Sequence, residues 1–302
     1  MNDKDQTAKS FSEKWHNNRR LAFDETLDEA SDIQRWILTR NGIDDLAALT
    51  TWLGGRRRIL DAGCGNGRVT ALLRRYAPED AEVVGIDLTA SDVAAENLAG
   101  ERNIRFEKRD LLGDLSGLGE FDLIYCQEVL HHTGDAAGAF RNVASLLSDE
   151  GEIAVYVYKV KPPVREYTDD LVRSRISQLP YPDAMDAMRA VTELGRALSD
   201  LDVKIEVPDV KVLGISAGTY DIQRFIYHFF AKAFWNPAMD VEANAAINYD
   251  WYHPQLATRH TLEEVEGWFA AEGLRVVHSL VDDYGITVRG VRPRGSTRGS
   301  TS

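Results

Sequence analysis

The chain has 302 residues, 44% of them hydrophobic and 27% charged, which suits a globular protein of one generous domain or a domain carrying a sizeable insertion. Its 35 Lys and Arg against 48 Asp and Glu leave a formal charge of -13. That field repels phosphate backbones and no dense basic run offsets it, so a nucleic-acid partner is not expected. Two cysteines, Cys64 and Cys126, are too few for a disulfide framework, and no apolar leader or membrane-spanning run stands out. A reducing, cytoplasmic setting without a membrane is expected.

Residues 1–56 read as a helical segment. Leu21, Phe23 and Leu27, then Ile33, Trp36, Ile37 and Leu38, recur at roughly helical spacing, and Asn41-Gly42 is a stop signal. A strand–helix alternation begins at Arg58. Strands are expected at 58–61, 82–87, 104–109, 121–126 and 152–158, with helices at 69–76, 91–99 and 136–147 between them. This rhythm predicts an α/β, doubly wound parallel sheet. It breaks after Lys161-Pro162-Pro163. Residues 161–258 read as a mainly helical cap, with Met185, Met188, Val191 and Leu194 on one stripe and an aromatic-rich helix over 220–235.

Thr261 then caps a helix to Ala271, and strands at 274–281 and 286–291 flank an Asp282-Asp283-Tyr284-Gly285 turn. The core is therefore expected to comprise 57–160 and 259–292. An insertion placed after a strand's C-terminal end suits acceptor binding, the competing role being a packed structural cap. The tail, 293–302, carries no apolar side chain and is expected to be disordered.

The chemistry concentrates in Leu60-Asp61-Ala62-Gly63-Cys64-Gly65-Asn66-Gly67. Glycines directly after a strand let the backbone turn tightly and approach a ligand. The spacing misses the dinucleotide fingerprint, because Arg68 stands where its third glycine belongs. Asp61 before the loop suits a cationic ligand better than a pyrophosphate. Asp87 ends the second strand about twenty residues further on, where an acid accepts hydrogen bonds from ribose hydroxyls. Asp110 and Leu111 follow the third strand, and Gln127-Glu128-Val129-Leu130-His131-His132 follows the fourth.

With four motifs on four successive strand ends, the chain resembles the class I S-adenosylmethionine-dependent methyltransferases, in their small-molecule branch. The likeness covers about 57–158 and resumes at Arg259. It implies a Rossmann-like seven-stranded sheet whose last strand is antiparallel. It also implies S-adenosylmethionine as cofactor. Asp61, Gly63, Gly65, Gly67 and Gln127 would lie around its methionyl part, Asp87 and Leu88 at its ribose, and Asp110 and Leu111 at its adenine. No Asn-Pro-Pro-Tyr type motif follows the fourth strand, unlike in the amino-group methylases of DNA and glutamine.

Methyl transfer from a sulfonium is an in-line displacement in which orientation supplies much of the rate. A hydroxyl acceptor also needs a base near neutral pKa, which points to histidine. His132 is the first candidate, followed by His131. His253, in the cap's Tyr249-Asp250-Trp251-Tyr252-His253 cluster, is the third. No metal-ligand spacing stands out, so no metal is expected. The expected enzyme methylates an oxygen or nitrogen of a small molecule, in a secondary-metabolic role, and a homo-oligomer is compatible with the sequence. The alternatives are a methyltransferase of RNA or protein, and a non-enzymatic binder of the same nucleoside.

Overall fold

The structure is a computed structural model and describes residues 1–295. Of the tail expected to be disordered, the part from residue 296 on lies outside the described residues. The described chain divides into two compact units: residues 19–159 with 258–295, and residues 1–18 with 160–257.

The first unit is built on a seven-stranded sheet. Its strands are β1 (Arg58–Ala62), β2 (Glu82–Asp87), β3 (Ile104–Lys108), β4 (Phe121–Gln127) and β5 (Leu147–Tyr158), then β8 (Arg275–Val281) and β9 (Gly285–Val291). Their order is β3-β2-β1-β4-β5-β9-β8. The first five run parallel, and the last strand in sequence, β9, is antiparallel to both neighbours. Alternation along each strand sends side chains to both faces, and helices cover both. Ile124, Cys126, Val155 and Val157 pack with Phe140 and Val143 of α7 (Ala136–Ala144) and with Val265 and Phe269 of α12 (Leu262–Ala271). On the other face Leu123, Tyr125 and Ala154 pack with α3 (Asp32–Arg40), α4 (Leu46–Leu53) and α5 (Arg68–Tyr76).

Thr261 caps α12 as expected, accepting from Glu264 N–H at 3.2 Å. The segment 144–151 departs from expectation: α7 ends at Ala144 and β5 begins at Leu147. Ser148-Asp149-Glu150-Gly151 reads as a turn, but Glu150 enters the strand in a left-handed conformation (φ +60°), an irregularity that the polar sequence hides.

In the second unit, α1 (Asp3–Asn17) joins α8 (Pro163–Ile176), α9 (Tyr181–Asp200), α10 (Ile222–Phe229) and α11 (Val241–Tyr252). The N-terminal segment read as one piece is thus shared between the units. The buried face of α1 is polar (Gln6, Thr7, Ser10, Lys14), so apolar periodicity could not place it. Gln6 Nε2 donates to the carbonyls of Ser177 at 2.6 Å and His253 at 2.9 Å, and Lys14 pairs with Asp250 at 2.9 Å.

Along α9 the buried stripe runs Ala184, Met185, Met188, Thr192 and Gly195, whereas Leu194 is exposed. At Gly195 an added Cβ would meet the carbonyl oxygen of Ala233 at 2.5 Å, so this glycine permits close backbone approach. A two-stranded sheet, β6 (Lys204–Val207) with β7 (Gly218–Asp221), was not anticipated among the helices. The aromatic helix expected over 220–235 stops at Phe229.

Candidate active site

The loop after β1 is shaped by glycines that tolerate positive φ. Gly63, Gly65 and Gly67 have φ of +89°, +53° and +84°. An added Cβ at Gly63 would meet the side chain of Val129 at 2.2 Å, so the loop passes flush against the residue following Glu128. The loop is pinned from below. Gly63 and Cys64 N–H donate to the carbonyl of Ile86 at 2.7 and 3.0 Å, and Gly65 N–H donates to Asp87 Oδ2 at 3.0 Å. Asn66 Nδ2 reaches the carbonyls of Arg19 at 3.2 Å and Leu21 at 3.0 Å.

The two acids of this region differ. Asp61 is buried and accepts from Thr70 Oγ1 of α5 at 2.6 Å. Desolvation pushes its carboxyl up to about 7, against the Thr70 hydrogen bond, with the Asp87 charge adding to the rise and Arg68 opposing it. Asp87 is only partly buried. Its Oδ1 accepts from Thr89 N–H at 2.7 Å and Ala90 N–H at 2.9 Å, so it braces the glycine loop and the turn after β2 together. Leu88 follows, half-buried. Asp110 turns the chain after β3 by accepting from Leu112 N–H at 3.0 Å, while Leu111 is buried. Strand register puts Asp61, Asp87 and Gln127 at the C-terminal ends of neighbouring strands, as expected of one ligand crevice.

After β4, Glu128 takes φ +60°, which for a non-glycine residue stores strain at the crevice rim. His131 and His132 follow in a 3₁₀ turn (Leu130–His132). His131 is fully buried and stacked on Tyr158 at 3.7 Å between ring centroids. Its Nδ1 accepts from Tyr158 N–H at 3.3 Å, and its carbonyl accepts from Thr258 N–H at 2.9 Å. His132 sits edge-on to Tyr158 and retains 9% exposure. His253 belongs to the other unit. Its Nδ1 meets Ser10 Oγ at 2.9 Å, its Nε2 meets the Leu179 carbonyl at 3.1 Å, and it stacks on Tyr249. Burial lowers its pKa, favouring the neutral ring.

One residue of this unit was not anticipated from the sequence. Arg40, at the end of α3, is 1% exposed with its guanidinium 3.6 Å from the Tyr156 ring centroid and against the Trp36 indole. Burial pushes its pKa below the usual arginine value, against the charges of Tyr156 and Glu128. Its signal in the sequence is the i,i+4 spacing of Trp36 and Arg40 on one helix face. Among the described residues no group of three or more His, Cys, Asp or Glu could hold a metal ion, and no helix is long and apolar enough to cross a membrane.

Residues 60–153 match the Methyltransf_12 family, a methyltransferase domain. Juvenile hormone acid O-methyltransferase of Bombyx mori is 35% identical over 99 residues, which are 32% of this chain and 36% of the relative. A ubiquinone biosynthesis O-methyltransferase of Marinobacter nauticus is 30% identical over 131 residues, 41% of this chain and 52% of the relative. The chain thus spans about a third to a half of the length of these curated relatives. Among solved structures, N-methyltransferase NodS from Bradyrhizobium japonicum, in complex with S-adenosyl-L-homocysteine, superposes with a TM-score of 0.51 at 15% identity. That match covers 96% of this chain and 100% of the other, and shows a shared fold. The strand order, the glycine loop and the acids at successive strand ends accord with a methyltransferase domain over residues 60–153.

Proposed function

We propose that this protein transfers a methyl group from S-adenosylmethionine to an oxygen or nitrogen of a small-molecule acceptor. The observation that carries the reading is the glycine loop after β1, whose positive-φ turns at Gly63, Gly65 and Gly67 set bare backbone beside the buried Asp61 carboxylate and the strand-end Asp87. When bound, the cofactor supplies an electrophilic methyl group on a cationic sulfur. Gly63, Gly65, Gly67 and Asp61 would hold its methionyl part together with Gln127, Asp87 and Leu88 its ribose, and Asp110 and Leu111 its adenine. The O-methyltransferase relatives support oxygen as the acceptor atom.

The remaining work falls to positioning and to one proton. The residues after β4 keep the acceptor in line with the carbon–sulfur bond, and orientation of this kind can supply much of the rate. His132 takes the acceptor's proton as the new bond forms. His131 is a poorer base, because its Nδ1 already accepts a backbone N–H and its ring is packed on Tyr158. His253 has both ring nitrogens engaged within its own unit, so it serves to fasten Ser10 to Leu179. The cap, 161–258, carries acceptor-binding residues in this reading. The charge of -13 argues against RNA as the alternative acceptor.

Calorimetric titration with S-adenosylmethionine and S-adenosylhomocysteine, with NADH as control, tests the cofactor assignment. Binding of the sulfur pair and none of NADH is expected, and failure of the pair to bind removes the reading. A pH series sharpens it. Asp61 holds its proton below about pH 7 in the free protein, and a bound cation favours the ionised form. Affinity for S-adenosylmethionine should therefore rise roughly ten-fold from about pH 6 to 8. Asp61→Asn should flatten that dependence. An equally steep slope in the variant would assign it to another group.

A further inference from the structure

The sheet unit buries a row of polar side chains in which two end atoms have no hydrogen-bond partner. Gln127 of β4, Tyr156 of β5 and Thr287 of β9 stand side by side in register across three strands. Gln127 Nε2 and Thr287 Oγ1 are buried with no hydrogen-bond partner. The same holds for Nε, Nη1 and Nη2 of Arg40, whose guanidinium lies over Tyr156, the middle member of the row. Among the described residues Arg40 forms no ion pair. Gln127 Oε1 accepts from the Tyr125 hydroxyl, and in this orientation its amino group is the donor left over. Asp282 fastens the two rings that clamp the arginine, accepting from Trp36 Nε1 at 3.2 Å and from the Tyr156 hydroxyl at 3.4 Å.

Arg40 feels the charges of Glu128 and Asp282 but pairs directly with neither, and a hydrophobic side chain of similar volume would pack between the same rings without its desolvation cost. Stacking uses the faces of a guanidinium and leaves its N–H edge, whose fork matches the two oxygens of a carboxylate. The neighbouring orphans are an amide N–H donor and a hydroxyl that can donate, so the set suits an anion and not a cation.

We propose that Arg40, Gln127 and Thr287 form a receptor for a ligand carboxylate, which the register assigns to the methyl acceptor as an organic acid. The row occupies β4, β5 and β9, whereas the glycine loop, Asp87 and Asp110 follow β1, β2 and β3 on the other side of β4. The inference rests on the cofactor reading above and narrows its acceptor class. The second source of the same chemistry is the carboxylate of the cofactor's own methionyl end. These donor atoms are covered by protein, so a ligand reaches them only when the end of α3 yields.

Thermal unfolding of wild type and Arg40→Met, with sodium benzoate against sodium chloride at equal ionic strength, is the first test. Benzoate should raise the wild-type midpoint and leave Arg40→Met unmoved. Without ligand, Arg40→Met should unfold at or above the wild-type temperature, the reverse of what a purely structural arginine gives. Thr287→Val should reduce the benzoate shift and serves if Arg40→Met misfolds. The second test compares S-adenosylhomocysteine with methylthioadenosine, which lacks the amino-acid carboxylate. If the receptor serves the cofactor, Arg40→Met weakens the former by about ten-fold or more and spares the latter. The receptor is overturned if Arg40→Met lowers the midpoint and changes neither the benzoate shift nor the ratio of the two affinities. Failure of S-adenosylhomocysteine to bind the wild type would instead count against the cofactor reading.

Discussion

Gly63→Ala is expected to remove measurable binding of S-adenosylhomocysteine and to lower the unfolding temperature of the sheet unit. Two costs add. At φ +89° an L side chain sits in the left-handed region, at about 1–2 kcal/mol. The new Cβ would also lie 2.2 Å from Val129 Cγ2 and 2.9 Å from its Cβ, and such overpacking typically costs about 1–3 kcal/mol. Val129 cannot simply rotate away, because a β-branched side chain carries its bulk on Cβ. Nor can the loop retreat while Gly63 and Cys64 N–H are both held by the Ile86 carbonyl. Thermal unfolding and calorimetric titration of Gly63→Ala, Val129→Ala and the double variant would check this. The double variant should regain part of the stability, since the overlap is relieved and the φ strain is not. A Gly63→Ala protein with wild-type affinity would show that the ligand does not lie against this backbone.

The features most legible in the sequence are those set by local chemistry. The glycine loop, the acids at the end of β2 and just after β3, and the Thr261 cap each rest on a residue whose backbone geometry or hydrogen bonding acts within a few positions. Strand alternation likewise marked the parallel sheet, because buried strands and amphipathic helices have different periods. What was hidden depends on partners distant in sequence. The polar face of α1 is buried because Ser177, Asp250 and His253 satisfy it, and no periodicity announces that. Leu194 belongs to an apolar stripe by spacing but is 53% exposed, since α9 packs through Gly195 and Thr192 instead. Arg40 is the same lesson at the site. A lone arginine at a helix end reads as solvated, and only the register of Gln127, Tyr156 and Thr287 reveals what surrounds it.

Adjacent histidines in one 3₁₀ turn are expected to part company under mutation. His132→Ala should lower methyl-transfer turnover by about 10²–10⁴, the range for a general base, while leaving the affinity for S-adenosylhomocysteine nearly unchanged. His131→Ala should act mainly on stability. His131 is fully buried, accepts the Tyr158 N–H at 3.3 Å and lies on the Tyr158 ring, so truncation leaves a cavity and an unpaired donor. The neighbours differ because the turn lays the His131 ring flat on Tyr158, with its carbonyl held by Thr258 N–H, and leaves the His132 ring edge-on to Tyr158. The measurement is transfer of labelled methyl from S-adenosylmethionine to an acceptor found in a metabolite pool, with unfolding temperatures run in parallel. Full turnover in His132→Ala would leave proton removal to solvent and reduce the residues after β4 to positioning alone.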